Sequence, residues 1–279
     1  LQDHLLGAGR GARAGQRVAG QRGLRPQAAR VDEPGDLRGH VALAVAAQQG
    51  SGDLAWIVYV DPQPGHVTAF EEGAQRHAEI MADAGVTMTW IGMEIILGPR
   101  TGQFMYGAFD LNGAALDAPQ GDQEEMQESF AENIDPHVAG AEAQVIRRMT
   151  ELGMWTPETP QASMYEVYRM WVKPGGDAAM RNVMTKLRAA MAEIYPEASY
   201  SVWRPVAGGV GSEWAVTVPI EGFAGYDEYN PTWMEQMLAE AYGHDEMQLL
   251  MESMAKVMQK STMEVFVVRP DLSVNLPEM

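Results

Sequence analysis

One histidine stands where it could act as an acid or a base. His77 lies in a segment whose apolar residues recur at helical spacing, and it shares their face: Phe70, Ala74, Ala78 and Met81. A histidine buried on such a face is held neutral, and neutral imidazole accepts a proton. Two interpretations follow: His77 is a core histidine with one hydrogen-bond partner, or it is a base or ligand-orienting donor in a pocket.

The sequence lacks the residue patterns of several other kinds of active site. The chain contains no Cys, so it has no thiolate nucleophile, disulfide, zinc ribbon or iron–sulfur cluster. Neither HExxH nor a paired-histidine spacing occurs near His66 and His77, and we predict no metal site. The G-x-S-x-G of serine hydrolases and the GxxxxGK[ST] phosphate loop are also absent. The glycines of residues 208–211 lie between two strand-like runs, which indicates a hairpin turn rather than a dinucleotide site.

The charge of the chain excludes acidic partners. Its 279 residues carry a formal net charge of −18, whereas nucleic acids and anionic lipids bind to positive surfaces. No run reaches the roughly 18 apolar residues of a membrane helix. We therefore predict no nucleic-acid partner and no membrane insertion.

An internal repeat provides the elements that position these residues. Residues 56–65 (WIVYVDPQPG) resemble residues 166–175 (EVYRMWVKPG) at an offset of 110, and both predict a strand that ends in a Pro-Gly turn. The segments that follow also correspond in pairs: a helix-period segment around 67–81 and 179–194, a strand pair around the glycine-containing turns 98–102 and 207–211, an acidic helical stretch at 122–149 and 232–260, and a final run at 150–155 and 262–268.

The predicted order is β-α-β-β-α-β, twice, which is the ferredoxin-like arrangement. A sheet covered by helices on one face must bury its other face, and two copies achieve this by packing sheet against sheet. The predicted fold class is therefore α+β, with two tandem ferredoxin-like repeats packed sheet to sheet.

The predicted domain limits follow from composition: an arm at 1–52, the first repeat at 53–158, a linker at 159–163, the second repeat at 164–272 and a tail at 273–279. The arm holds seven Arg and ten Gly but no Met or aromatic residue, so we expect it to be disordered, leader-like or spurious upstream translation. The apolar run at 41–47 resembles the end of a signal peptide. We expect export to the periplasm or the outside, with a cytoplasmic location as the alternative.

The duplicated plan and the paired Pro-Gly turns resemble the dimeric α+β barrel superfamily, with two copies fused into a pseudo-dimer. Within it, the antibiotic-biosynthesis-monooxygenase-like and NIPSNAP-like families are the most similar. The run VRPDLS at 268–273 resembles the ending of exported bacterial proteins of this plan, which implies no activity. The pseudo-dimeric barrel predicts either a monomer or a homodimer.

The resemblance also implies a site, because relatives hold ligands between the sheet and its helices. It implies catalytic roles for His77 and Tyr59, and ligand contacts from four residues: Trp90, Tyr106, Arg169 and Trp203. The residues of the first repeat would share one cavity, whereas Arg169 and Trp203 would belong to the corresponding place in the second repeat.

Three functions remain open at this point. The first is a barrel that binds a small apolar or aromatic molecule. The second is an enzyme similar to the cofactor-independent monooxygenases, acting on an aromatic molecule with a His/Tyr pocket. The third is a structural or protein-interaction barrel without a ligand. We expect no cofactor, because His77 alone is insufficient for the haem ligation that some relatives use.

Overall fold

The computed structural model describes residues 52–155, 162–228 and 230–276. Predictions for residues 1–51 and for most of the linker lie outside the described residues. The described strands are β1 (Leu54–Pro62), β2 (Ile91–Leu97), β3 (Phe104–Leu111), β4 (Val138–Arg148), β5 (Met164–Val172), β6 (Ser201–Ala207), β7 (Glu213–Ile220) and β8 (Met258–Val268). The described α-helices are α1 (Val67–Asp83), α2 (Gly113–Asp117), α3 (Gln123–Asn133), α4 (Asp177–Ile194), α5 (Trp233–Tyr242) and α6 (His244–Val257). Short 3-10 turns lie at Asp135–His137, Phe223–Glu228 and Pro270–Leu272.

The strands form one closed barrel in the order β1-β3-β2-β8-β5-β7-β6-β4, and β4 pairs with β1 to complete it. Each half contributes a ferredoxin-like sheet, β4-β1-β3-β2 from the first repeat and β8-β5-β7-β6 from the second. All of these pairs are antiparallel. The predicted α+β class, with two tandem repeats packed as a pseudo-dimeric barrel, is confirmed.

Two seams join the halves. Strand β2 pairs with β8, where Met93 lies opposite Val268, and β4 pairs with β6, where Arg148 lies opposite Trp203. Each seam therefore satisfies the edge of one sheet with the edge of the other, so that neither half exposes an unpaired strand there.

Side chains alternate between the barrel interior and the helix-covered outer face, as a strand repeat of two requires. In β1, Ile57 and Tyr59 belong to an interior cluster that takes residues from all eight strands. The neighbouring Val58 and Val60 pack outward, toward Phe70 of α1. Helices α1 and α3 cover the first sheet, and α4 covers the second with α5 and α6 behind it.

The end of each repeat differs from the sequence prediction. Helix α3 ends at Asn133 and strand β4 occupies Val138–Arg148, although residues 122–149 were predicted as helical and 150–155 as the strand. Strand β8 likewise begins at Met258, inside the predicted helical stretch. The small residues of β4 have no strong strand propensity, and pairing with both β1 and β6 decides their conformation.

The segment after the second repeat is tied to the first one. Val274 is buried and forms a β-bridge with Trp90, and Asn275 Nδ2 donates to the carbonyl of Val86 at 2.7 Å. Ser273 Oγ accepts from the backbone N–H of Gly92 at 2.9 Å. Residues 273–276 are thus part of the packed fold rather than a free tail.

Two hairpin glycines, 110 residues apart, let the seams close. Gly98 in the β2–β3 turn has φ +108°, and a Cβ there would lie 2.6 Å from the carbonyl oxygen of Met263 in β8. Gly208 in the β6–β7 turn has φ +78°, and its Cβ would lie 2.4 Å from the carbonyl oxygen of Ala143 in β4. Both positions need glycine for its backbone conformation and for its lack of a side chain.

Gly208→Ala should therefore lower the free energy of unfolding by about 1–3 kcal/mol, because the methyl group adds backbone strain and a clash with β4. Gly211→Ala in the same turn is the control, since a Cβ there meets nothing within 4 Å. Urea unfolding of both variants measures the difference. Equal stability of the two variants would show that the seam does not depend on this close approach.

Candidate functional site

A cavity of about 170 Å³ lies inside the barrel, between the two sheets. Its wall is mostly apolar and aromatic and includes Ile57, Met93, Met105, Phe109, Ile146, Val167, Trp203 and Phe266. An engineered apolar protein cavity of about 150 Å³ binds benzene. The barrel interior therefore has room for a molecule the size of one aromatic ring.

One side of the cavity carries a buried arginine. Arg148 ends strand β4, where its backbone N–H donates to the carbonyl of Asp53 at 2.6 Å. Its Nη1 donates to Asp110 Oδ1 at 2.6 Å, and its side chain is 8% exposed. The guanidinium carbon lies 3.8 Å from the ring centre of Trp155 and 4.6 Å from that of Trp203. Two indoles and one carboxylate thus hold a positive charge at the cavity wall.

Tyr59 forms another part of the wall, and a second arginine covers its ring. The guanidinium carbon of Arg100 lies 3.7 Å above the ring centre of Tyr59. Arg100 Nε donates to Glu264 Oε1 at 2.9 Å and Nη2 donates to Glu264 Oε2 at 2.5 Å. Burial opposes the charge of Arg100, but the hydrogen bonds and charge of Glu264 outweigh it and raise the arginine pKa above its ordinary value.

A third arginine completes this polar group. Arg169 Nε donates to Glu213 Oε1 at 2.5 Å, and the Arg169 guanidinium lies 5.8 Å from the ring centre of Tyr59. Tyr59, Glu213 and Trp203 line the cavity. Of the predicted site residues, the structure thus places Tyr59 and Trp203 at the cavity and Arg169 beside Tyr59.

His77 belongs to α1, on the other side of the first sheet, and its side chain contacts α3. Its Nδ1 is 2.9 Å from Ser129 Oγ, and its ring packs edge-on against Phe130 with centroids 5.9 Å apart. Burial lowers the pKa of His77 to about 4. This environment matches that of a core histidine with one hydrogen-bond partner.

Trp90 and Tyr106 also face the helices. Trp90 packs edge-on against Trp56 with centroids 5.9 Å apart, and Tyr106 lies opposite Val58 and Gly92. Burial raises the pKa of Tyr106 well above its ordinary value, although the charge of Arg269 acts in the opposite direction. The indole N–H of Trp90 and the hydroxyl of Tyr106 are buried without a hydrogen-bond partner among the described residues.

The first sheet therefore separates the four residues that were predicted to share one cavity, three aromatic residues and one histidine. Tyr59 points into the barrel, whereas Trp90, Tyr106 and His77 lie on the helix-covered side. The reason is strand alternation: Val58, the outward neighbour of Tyr59, is the residue that pairs with Tyr106. The cavity lies inside the barrel rather than between sheet and helices.

Sequence reasoning missed three groups at or beside the cavity: Arg148, Trp155 and the Arg100–Glu264 pair. Arg148 fell in a segment predicted as helical. A strand assignment for β4 would have placed Gln144, Ile146 and Arg148 on one face, and that alternation was the available signal.

The described part of the chain shows neither of two further kinds of feature, a metal-binding cluster and a membrane-spanning helix. No group of three or more His, Asp or Glu side chains there could hold a metal ion. None of the described helices is long and apolar enough to cross a bilayer.

The chain is thus a single-chain α+β barrel with an interior cavity. No family model and no curated protein matches it. Similar solved structures include a proposed monooxygenase from Lactobacillus acidophilus NCFM (11% identity, TM-score 0.48, 80% of this chain and 96% of that one) and an anthrone oxidase-like protein (9%, 0.46, 80% and 94%). A heme-binding protein from Thermus thermophilus is also similar (14%, 0.39, 79% and 92%). All of these TM-scores are below 0.5.

The cavity does not fit a macrocycle such as haem. Its volume of about 170 Å³ suits one ring, and no histidine is among the described residues that line it. Any ligand of this cavity is therefore a much smaller molecule.

The environment of His77 predicts a pH dependence of stability. Its pKa in the fold, about 4, lies below its ordinary value of 6.5, so the unfolded chain binds more protons between these pH values. The free energy of unfolding should fall by roughly 2–3 kcal/mol as the pH drops from 7 to 4 because of this residue alone. In His77→Gln this component should be missing, and urea unfolding at each pH compares the two proteins.

His244→Gln, at the exposed first residue of α6, serves as the control and should keep the pH profile of the parent protein. The burial argument fails if His77→Gln loses stability with acid as steeply as the parent protein does.

Proposed function

We propose that this protein binds a small, mostly apolar molecule of single-ring size inside the barrel. The observation that carries the proposal is the interior cavity of about 170 Å³, with its wall of aliphatic and aromatic side chains and a few buried polar groups. Binding sites for small molecules share this composition, in which apolar walls give affinity and a few polar groups orient the ligand.

The energetic cost of the cavity supports the proposal over a purely structural barrel. Protein interiors are close-packed, and empty space costs about 24 cal/mol per Å³. The cavity of about 170 Å³ is partly open to solvent, so water can enter it, but its mostly apolar wall offers this water few hydrogen-bond partners. A barrel selected for packing alone would gain by enlarging one of its small interior residues, such as Ala215.

The geometry does not favour the oxygenase alternative with a His/Tyr pocket. His77 and Tyr59 lie on opposite sides of the first sheet, so one ligand cannot contact both. Tyr59 instead faces Arg100 and the cavity, where it can orient a ligand through its hydroxyl or its ring. The proposal is accordingly one of binding, without a catalytic step.

Ala215→Leu tests the proposal by filling the cavity from strand β7, where Ala215 forms part of the wall. The larger side chain should weaken binding of toluene at least tenfold, because it occupies ligand space, while the free energy of unfolding stays equal or rises. Isothermal titration calorimetry measures the affinity and urea unfolding measures the stability.

Ala141→Leu makes the same change at an exposed position of β4 and should leave toluene binding as it is. The proposal is overturned if neither the parent protein nor this control binds any of a panel of one-ring compounds at millimolar concentration. It is also overturned if Ala215→Leu binds them as well as the parent protein does.

A further inference from the structure

Arg148 has a hydrogen-bond donor that the fold leaves unused. A guanidinium carries five N–H donors, and burying one without an acceptor is unfavourable. Nη1 of Arg148 is bonded to Asp110, but Nε is buried and has no hydrogen-bond partner among the described residues. Arg148 belongs to the cavity wall and its side chain is 8% exposed, so a ligand that reaches Nε would provide the acceptor that the described residues do not.

The two indoles limit where such an acceptor can approach. The ring centres of Trp155 and Trp203 lie 3.8 Å and 4.6 Å from the guanidinium carbon, so both indoles pack closely on the charged group. The N–H bonds of a guanidinium lie in its plane, so a hydrogen bond must come from the edge. Asp110 occupies this edge at Nη1, and Nε is the donor that has no acceptor among the described residues.

Other buried groups without partners do not offer this combination. Arg204 also belongs to the cavity wall and its Nε is also unpaired, but both of its other nitrogens are bonded: Nη1 donates to Asp177 Oδ1, and Nη2 donates to Asp177 Oδ2 and to the carbonyl of Gly211. Trp90 and Tyr106 face the helices of the first repeat. Arg100 Nη1 is unpaired too, but Arg100 is not among the residues that form the cavity wall.

The charges near Arg148 determine which ligand atom suits it. Its partner Asp110 has a side chain that is 39% exposed, so water weakens the negative charge, whereas the positive charge of Arg148 is buried beside the cavity. An oxygen with negative charge gains from this arrangement, and a cationic group loses.

We propose, as an extension of the binding function above, that the cavity selects a single-ring aromatic molecule with an oxygen acceptor, such as a carboxylate or a phenol, and that Arg148 recognises this oxygen through Nε. The ring then lies against the apolar part of the wall, formed by residues such as Met93, Ile146 and Phe266. Arg148 acts as a specificity-determining residue in this arrangement.

The test compares three probes of similar size: benzoate, toluene and benzylamine. The parent protein should bind benzoate at least tenfold more tightly than toluene, and benzylamine more weakly than toluene, as measured by isothermal titration calorimetry at neutral pH. In Arg148→Met the preference for benzoate over toluene should disappear, while toluene affinity stays within about threefold. Arg148→Lys keeps the charge without the planar edge and should retain only part of the preference.

Arg147→Met is the matched control, because Arg147 is the adjacent residue of β4, is half-exposed and pairs with Asp53 at the surface. It should keep the full preference for benzoate. Equal binding of benzoate and toluene by the parent protein would overturn the inference without any variant, and so would an unchanged preference in folded Arg148→Met. If toluene binds and benzoate binds no more tightly than toluene, the extension alone is wrong. If none of the three probes binds, the binding function itself is wrong.

Discussion

Hydrogen bonding across the two seams is the constraint on which the rest of this protein depends. Each four-stranded sheet has two edges, and an open edge exposes a row of unpaired backbone N–H and C=O groups. Here β2 pairs with β8 and β4 pairs with β6, so that one chain satisfies the edges of both sheets. The close approach of Gly98 and Gly208 to the opposite strand follows directly from this closure.

Closure also determines the chemistry of the interior, because the register at each seam decides which side chains meet. Arg100 of the first repeat reaches Glu264 of the second next to one seam, and Arg148 packs on Trp203 across the other. Buried ion pairs contribute little net stability, since desolvation offsets most of their attraction. Their consequence here is geometric: Glu264 holds Arg100 over the ring of Tyr59, and Asp110 holds Arg148 at the cavity wall.

The order of elements was predictable from the sequence, whereas the composition of the site was not. Strands such as β1 and β5 end in Pro-Gly turns and are rich in β-branched and aromatic residues, which is a strong local signal. Strand β4 has small and polar residues, and its conformation depends on pairing with strands distant in sequence. Because this segment was predicted as helical, Arg148 was not assigned to the barrel wall. The resemblance to the α+β barrel superfamily implied site roles for Tyr59 and Trp203, but separating Tyr59 from Tyr106 required the strand register.

The two seams, equivalent in topology, differ in the residues that line the barrel. By register, the pair Met93–Val268 at one seam corresponds to the pair Trp203–Arg148 at the other. A thioether and a valine therefore occupy the places that an indole and a guanidinium occupy on the opposite side. Identical repeats would give a cavity with two equivalent ends, in which a ligand could bind in two orientations. The difference between the seams puts Arg148 on one side of an otherwise mostly apolar wall, and this asymmetry favours a single orientation for a ligand with one polar end.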